Sequence, residues 1–459
     1  MKPLENAEGH FWQKVADLSV FVEIIRIILS IRGSFFNDNL FNIMQPICIN
    51  NYCFDRIHTW IQYDKHIPQF IEVVIELFYP ENRQAEGLVM FSHGFLIGND
   101  LLYYPKKIIG GLMNDNPLFG INPSSYYNYS SAVVEHNWAM AFVTASHMQS
   151  VAMPWIDFGG NPRVGQDAYA AASYLVKYGA TDEFYRIDEH NRNRSFYSSE
   201  LVKQTGFMKN NNVIFAGHSV GGAHAQVASV GFEKLQEIGK STSRSFDPVL
   251  YDREFLPEVS SPMSSWSDEE RANPVGFIQL SPVDMHVPIL APGMAPYRKA
   301  LAESPIPGVM VIGQCDNASL TMSQPPSWSE NKAENSSQFR ELASDQSWAA
   351  VANVEKGSHC GYLIEKSPLC SVADMTNPCK TAPYRAGGDE AFFTTGLIKN
   401  FIDLFPENDG YNGGFKGDFN QWRGSNFMKW LDRKSPDGVI NLVPFSDGKY
   451  VDYARECYT

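Results

Sequence analysis

Residues 213–222 read Val213-Ile214-Phe215-Ala216-Gly217-His218-Ser219-Val220-Gly221-Gly222. An apolar, strand-favouring run passes directly into a glycine-bracketed serine, and the small run Gly222-Ala223-His224-Ala225-Gln226-Val227-Ala228 follows. This order predicts a strand, a sharp turn and a helix, with the serine at the apex. The turn strains its central residue, and glycines at its flanks remove side chains that would collide there. It lifts the Ser219 hydroxyl above the sheet edge and directs the Val220 N–H at an oxyanion. Alone, Gly-x-Ser-x-Gly is equally compatible with an ordinary tight turn, so other parts of the chain must supply its partners.

Upstream, Gly87-Leu88-Val89-Met90-Phe91 reads as a buried strand ending in Ser92-His93-Gly94-Phe95. A loop after such a strand supplies the second oxyanion donor in serine acyl transfer, which makes the Phe95 N–H the candidate. A general base follows a late strand: Val351-Ala352-Asn353-Val354 leads to Lys356-Gly357-Ser358-His359-Cys360-Gly361. His359, between glycines downstream of Ser219, is the candidate base, whereas His218 and His224 flank the serine and read as pointing elsewhere. For the acid, Val309-Met310-Val311-Ile312 runs into Gly313-Gln314-Cys315-Asp316, and the preceding strand, Gly276–Leu280, runs into Ser281-Pro282-Val283-Asp284. Either carboxylate could accept from the second ring nitrogen of the histidine and fix its tautomer; Asp316 is preferred, with Asp284 the alternative.

These residues together resemble the α/β-hydrolase superfamily. Within it the chain is most similar to the branch holding bacterial cutinases and polyester hydrolases, platelet-activating-factor acetylhydrolases and chlorophyllases, over roughly residues 68–405. The resemblance implies Ser219 as nucleophile, His359 as base, Asp316 as acid and the Phe95 and Val220 N–H groups as oxyanion hole, with no cofactor or metal. The polyester hydrolases take their acid after the strand that leads to Asp316. The chlorophyllases and acetylhydrolases take it one strand earlier, where this chain has Ser281, with Asp284 three residues later. The tryptophan that polyester hydrolases carry just after that earlier strand is absent. Some polyester hydrolases bridge the acid and base loops by a disulfide, and Cys315 and Cys360 adjoin Asp316 and His359 here.

Around this core, alternating strand and helix patterns imply a mostly parallel sheet covered on both faces by helices. Gln69–Tyr79 and Trp138–Thr144 read as strands, Gln166–Tyr178 as a crossover helix and Ala391–Leu404 as a closing helix. The expected organisation is an N-terminal extension over 1–66 (a helix near 11–32, then an irregular stretch), a catalytic domain over 67–405 and a C-terminal surface extension over 406–459. Three long insertions, 101–131, 239–272 and 317–347, leave the carboxyl edge of the sheet, where loops shape a cleft. Tyr126, Tyr127 and Tyr129 in the first could line an apolar pocket or belong to the core.

A net charge of −14 without a basic cluster excludes nucleic acid as an expected partner. The apolar run Leu18–Ile31 is interrupted by Glu23 and Arg26, so it reads as a packed helix rather than a membrane span. The start Met1-Lys2-Pro3-Leu4-Glu5-Asn6 does not open a signal peptide, although the low charged fraction of 19% and the placement of cysteines lean towards export. Besides Cys315 and Cys360, the pairs Cys48/Cys53 and Cys370/Cys379 are spaced for local bridges, leaving Cys457. No phosphate-cradling loop, dinucleotide fingerprint or metal-spaced His/Cys cluster occurs. The expected function is hydrolysis of a small-molecule, lipid or polymeric carboxylic ester. The alternatives are thioester, peptide or acyl-transfer chemistry on the same residues, or a non-catalytic binding protein on the same fold.

Overall fold

The centre of the sheet is built from strands that are apolar on both faces, as a parallel sheet buried between helices requires. In the computed structural model the described residues are 47–49, 52–64, 67–94, 123–145, 165–179, 184–187, 194–197, 208–241, 262–282, 297, 300, 301, 303, 306–313, 316, 349–354, 357–363, 389–405, 422, 424–433, 439–444 and 450–452. They contain, in chain order, strands β1 (Ile47–Ile49), β2 (Tyr52–Asp64), β3 (Ile67–Pro80), β4 (Leu88–Ser92) and β5 (Ala139–Ala145). A two-stranded ribbon, β6 (Phe184–Ile187) and β7 (Arg194–Tyr197), precedes β8 (Asn212–His218). Then come β9 (Asn273–Leu280), β10 (Gly308–Gly313), β11 (Ala349–Val354), β12 (Val439–Pro444) and β13 (Tyr450–Asp452). The helices are α1 (Asn128–Glu135), α2 (Gln166–Gly179), α3 (Val220–Ala228), α4 (Phe232–Ser241), α5 (Asp389–Ile402) and α6 (Asn426–Arg433).

One eleven-stranded sheet runs β1-β2-β3-β5-β4-β8-β9-β10-β11-β12-β13. The six strands from β5 to β11 are mutually parallel, and the outer strands on both sides add antiparallel. The two-residue alternation of side chains divides the core. Leu88 and Met90 of β4 and Val213 and Phe215 of β8 join a cluster with α2, α3 and α4, including Tyr169, Leu175, Ala223 and Leu235. Val89, Phe91, Ile214 and Ala216 face the opposite cluster with α1, α5 and α6, including Val133, Leu397, Phe401 and Leu431. The expected layering, helices on both faces of a mostly parallel sheet, is what the residues form.

Parallel pairing brings the carboxyl ends of the strands to one edge. Ser92 pairs with Gly217, His218 with Leu280, Val311 with Leu280, and Gly313 with Val354. The loops that carry the candidate site residues therefore leave side by side from neighbouring strands, the usual location for a ligand site in such sheets.

The two outer segments differ from the sequence reading. Residues 47–64 pair as β1 and β2 onto β3, so part of the 1–66 extension belongs to the sheet. Polar residues interleaved along an edge strand hide its alternation in the sequence. A disulfide joins Cys48 to Cys53, which sit opposite one another in the β1–β2 pair. At the other end, Trp422, Phe427, Met428 and Leu431 are buried, and Trp422 and Phe427 meet Phe401 of α5 edge to face. With β12 and β13 extending the sheet beside β11, this part of 406–459 is core rather than a surface wrap. The helix expected near 11–32, the cysteine pair 370/379, Cys457 and the insertion 317–347 lie outside the described residues. Of insertion 101–131, residues 123–131 are described, and there Tyr126, Tyr127 and Tyr129 are fully buried in the core rather than open to a cleft.

Candidate active site

Ser219 sits between the end of β8 and the first residue of α3, with φ 56° and ψ −120°. A positive φ at a residue with a Cβ is a strained conformation that persists only where surrounding contacts over-determine it. Two contacts do so here: the Ser219 N–H donates to Leu280 O (2.9 Å), and Gly222 N–H donates back to Ser219 O (3.0 Å). The glycines are required by close approach. A Cβ at Gly217 would overlap the Gly221 carbonyl, and one at Gly221 would overlap the Ser92 carbonyl. The chain can therefore turn sharply against β4 only because both side chains are missing. Val220 opens α3, so its N–H has no intrahelical acceptor.

Asp316 follows β10 by three residues, its N–H donating to Gly313 O (2.9 Å). His359 follows β11 by five, and its Nδ1 lies 3.0 Å from Asp316 Oδ2. A carboxylate only accepts, so Nδ1 carries the proton and the lone pair of a neutral His359 is on Nε2, the tautomer a general base needs. Both side chains are buried, and Ser219 retains only 6% exposure. The loop bearing His359 is gripped from below by Glu390 of α5. Its carboxylate accepts from the Ser358 N–H (2.9 Å) and hydroxyl (3.4 Å), and it occupies the space that a Cβ at Gly357 or Gly361 would need.

Of the residues singled out in the sequence, the structure brings Asp316 and His359 into contact at the sheet edge that also carries Ser219. Phe95, Asp284 and Cys315 lie outside the described residues. Ser281, at the end of β9, donates its N–H to Val311 O and its hydroxyl to Tyr362 Oη (3.2 Å). Among the described residues there is no group of three or more His, Cys, Asp or Glu that could hold a metal, and no helix long and apolar enough to cross a membrane.

No protein-family model matches this chain, and comparison with curated proteins gives no match. Among solved structures it is similar to a dienelactone hydrolase from Anabaena variabilis (12% identity over 77% of this chain and 99% of that one, TM-score 0.34). It is also similar to carboxyl esterase 2 from the fungus Tuber melanosporum (13%, 80% and 87%, 0.35) and to esterase B from Lactobacillus rhamnosis (12%, 85% and 98%, 0.33). The chain's own architecture places a strand, a strained serine and a helix at the carboxyl edge of a parallel sheet, followed by an aspartate and then a histidine after later strands. The fold class is α/β, a mostly parallel central sheet with helices on both faces.

Sequence reasoning gave His218 and Glu390 no part in the site, and it placed Tyr126 in a pocket or the core without its polar contacts. His218 does not point away from the site. Its Nε2 lies 2.7 Å from the His359 carbonyl oxygen, the two rings are 4.8 Å apart, and its Nδ1 lies 2.7 Å from the Tyr126 hydroxyl. Burial pushes its pKa down to about 3, the neighbouring His359 charge adding to the effect. The two-residue period of β8 offered a signal, since it puts His218 on the face of Ile214 and Ala216, where α1 and α5 pack. Tyr126 and Glu390 carried no local signal. His93, buried after β4, donates from Nδ1 to Gly94 O (2.6 Å), and burial lowers its pKa to about 4.

Proposed function

We propose that this chain is a serine hydrolase that cleaves carboxylic esters through an acyl-enzyme. The observation that carries the reading is the hydrogen bond between His359 Nδ1 and Asp316 Oδ2, made at the sheet edge where Ser219 is held at positive φ. As the Ser219 oxygen attacks the ester carbonyl, its proton passes to His359 Nε2, and Asp316 stabilises the resulting imidazolium. The tetrahedral oxyanion is held by the Val220 N–H and by the Phe95 N–H of the loop after β4. His359 then gives the proton to the leaving alcohol, and a water molecule repeats the sequence to release the acid. Support for the division of roles comes from burial: a carboxylate and an imidazole shielded from water interact more strongly than exposed groups do.

The test is Ser219→Ala. Hydrolysis of a p-nitrophenyl acyl ester should fall by more than about 10³-fold while urea unfolding remains cooperative. A fluorophosphonate probe should label the wild-type chain on Ser219 and leave the variant unlabelled. Undiminished turnover by Ser219→Ala would remove the proposal. A panel offering one acyl group on oxygen, sulfur and nitrogen separates ester from thioester and amide cleavage.

A further inference from the structure

Three hydrogen bonds run in series through the buried space between the loop after β4 and the loop after β11. The Gly94 N–H donates to the Tyr126 oxygen (3.2 Å), the Tyr126 hydroxyl lies 2.7 Å from His218 Nδ1, and His218 Nε2 lies 2.7 Å from the His359 carbonyl. With His218 neutral, only one proton arrangement satisfies all three. A carbonyl accepts, so Nε2 of His218 carries its proton; Nδ1 then accepts from the Tyr126 hydroxyl, whose oxygen accepts from Gly94. Tyr126 and His218 are fully buried, and the Tyr126 ring packs on Phe91 of β4 with centroids 4.8 Å apart. Water is therefore not at hand to replace a lost partner, and breaking one link leaves buried polar groups unsatisfied.

We propose that Tyr126 and His218 are positioning residues that hold the oxyanion-side loop and the base loop in a fixed relation. This rests on the serine-hydrolase reading above. The series grips main chain at both ends: Gly94, the residue before the candidate oxyanion donor Phe95, and the carbonyl of His359 itself. His359 is thereby constrained twice and independently. Asp316 sets the rotation of its ring through Nδ1, and His218 sets where the residue sits through its carbonyl. Ester hydrolysis needs the base and the oxyanion donors in register around one carbonyl carbon, and misplacement of about 1 Å is enough to slow such a step roughly a hundredfold. A link joining the two loops acts on that register and not on substrate affinity.

Tyr126→Phe removes the middle of the series and keeps the packed ring. Rates are referred to active sites counted by the p-nitrophenolate burst. On that basis kcat should fall roughly ten- to a hundredfold with KM little changed. His218→Gln keeps an amide donor near the Nε2 position, and His218→Asn keeps one near Nδ1. The glutamine variant should retain more kcat than the asparagine variant, because only it can still reach the His359 carbonyl. Tyr126→Phe with His218→Asn should be little slower than the slower single change, since both break one series. Wild-type kcat per active site in Tyr126→Phe, or the reverse order of the two His218 variants, would overturn the inference. Should the variants not fold, 15N spectra of the histidine-labelled wild-type chain decide it: His218 must be neutral with its proton on Nε2, and the Nδ1 tautomer refutes the series. Ser219→Ala, assayed in parallel, separates the two levels. If it is inactive while Tyr126→Phe is unimpaired, only this inference falls; if it is active, the hydrolase reading falls too.

Discussion

Acidification should unfold this protein through two histidines that do not themselves attack or protonate anything. In the folded chain burial keeps His93 neutral down to about pH 4 and His218 down to about pH 3, whereas in the unfolded chain both titrate near 6.5. Between these values the unfolded state binds more protons, so stability is complete above about pH 6.5 and is lost as the pH falls towards 4 and 3. At pH 5 each group lies about 1.5 units below its unfolded value, and at 1.36 kcal/mol per unit each removes about 2 kcal/mol, together about 4 kcal/mol. That is a large share of the roughly 5–15 kcal/mol that holds a domain folded. Urea unfolding followed by tryptophan fluorescence at about pH 7, 6 and 5 measures the slope. His218→Gln should be less stable at neutral pH, yet its loss between pH 7 and 5 should be smaller than that of the wild type by about 2 kcal/mol. Most carboxylates titrate below this window, so the difference isolates the imidazole. A slope unaltered by His218→Gln would show that the ring is protonated in the folded state, and the proton arrangement derived for Tyr126 and His218 would be wrong.

Four further substitutions test how the proposed base, His359, is held. Gly361→Ala drives a methyl group into the Glu390 carboxylate and should destabilise the fold by about 1–3 kcal/mol while displacing the base loop. Adding Glu390→Ala should recover part of the lost turnover, and a double variant no better than the single one would show that the overlap is not the cause. Asp316→Asn should lower kcat by about 10⁴-fold by releasing the required tautomer of His359. Asp284→Asn should leave it near wild type; equal losses would reopen the choice of acid.

How much of this was legible depends on how local each determinant is. The elbow is written in ten consecutive residues, because a strand end, a strained serine and two close glycines act on each other directly. The positions of Asp316 and His359 were legible at one remove: each follows an apolar run, and a parallel sheet collects such strand ends at one edge. His218 was visible to the same periodicity but was read as the inert neighbour of the serine. Glu390 and Tyr126 were not legible, since their partners lie 32 and 92 residues away and are chosen by the packing of α5 and of the 3₁₀ turn Pro123–Tyr126. The outer strands were misread for a related reason. β2 interleaves polar residues with apolar ones, and β1 and β13 are only three residues long, too short for a pattern to show.

The supporting residues share one property that bears on how such a site stays ordered. Glu390 holds the Ser358 N–H, Tyr126 holds the Gly94 N–H and His218 holds the His359 carbonyl. None of these bonds is to a reacting side chain; each fastens loop main chain to a buried group on a helix, a 3₁₀ turn or a strand. Loops at the carboxyl edge have no ladder partners of their own, so their amides and carbonyls must be satisfied from elsewhere or be left to water. Here buried side chains from regular elements supply the partners, which fixes the loops from the core side. On the proposed reading, these supporting residues set the register of Ser219, His359 and the oxyanion donors. On the serine-hydrolase reading, substitutions among the supporting residues should therefore alter rate for every ester alike; a changed order of preference across an ester panel in Tyr126→Phe would refute this.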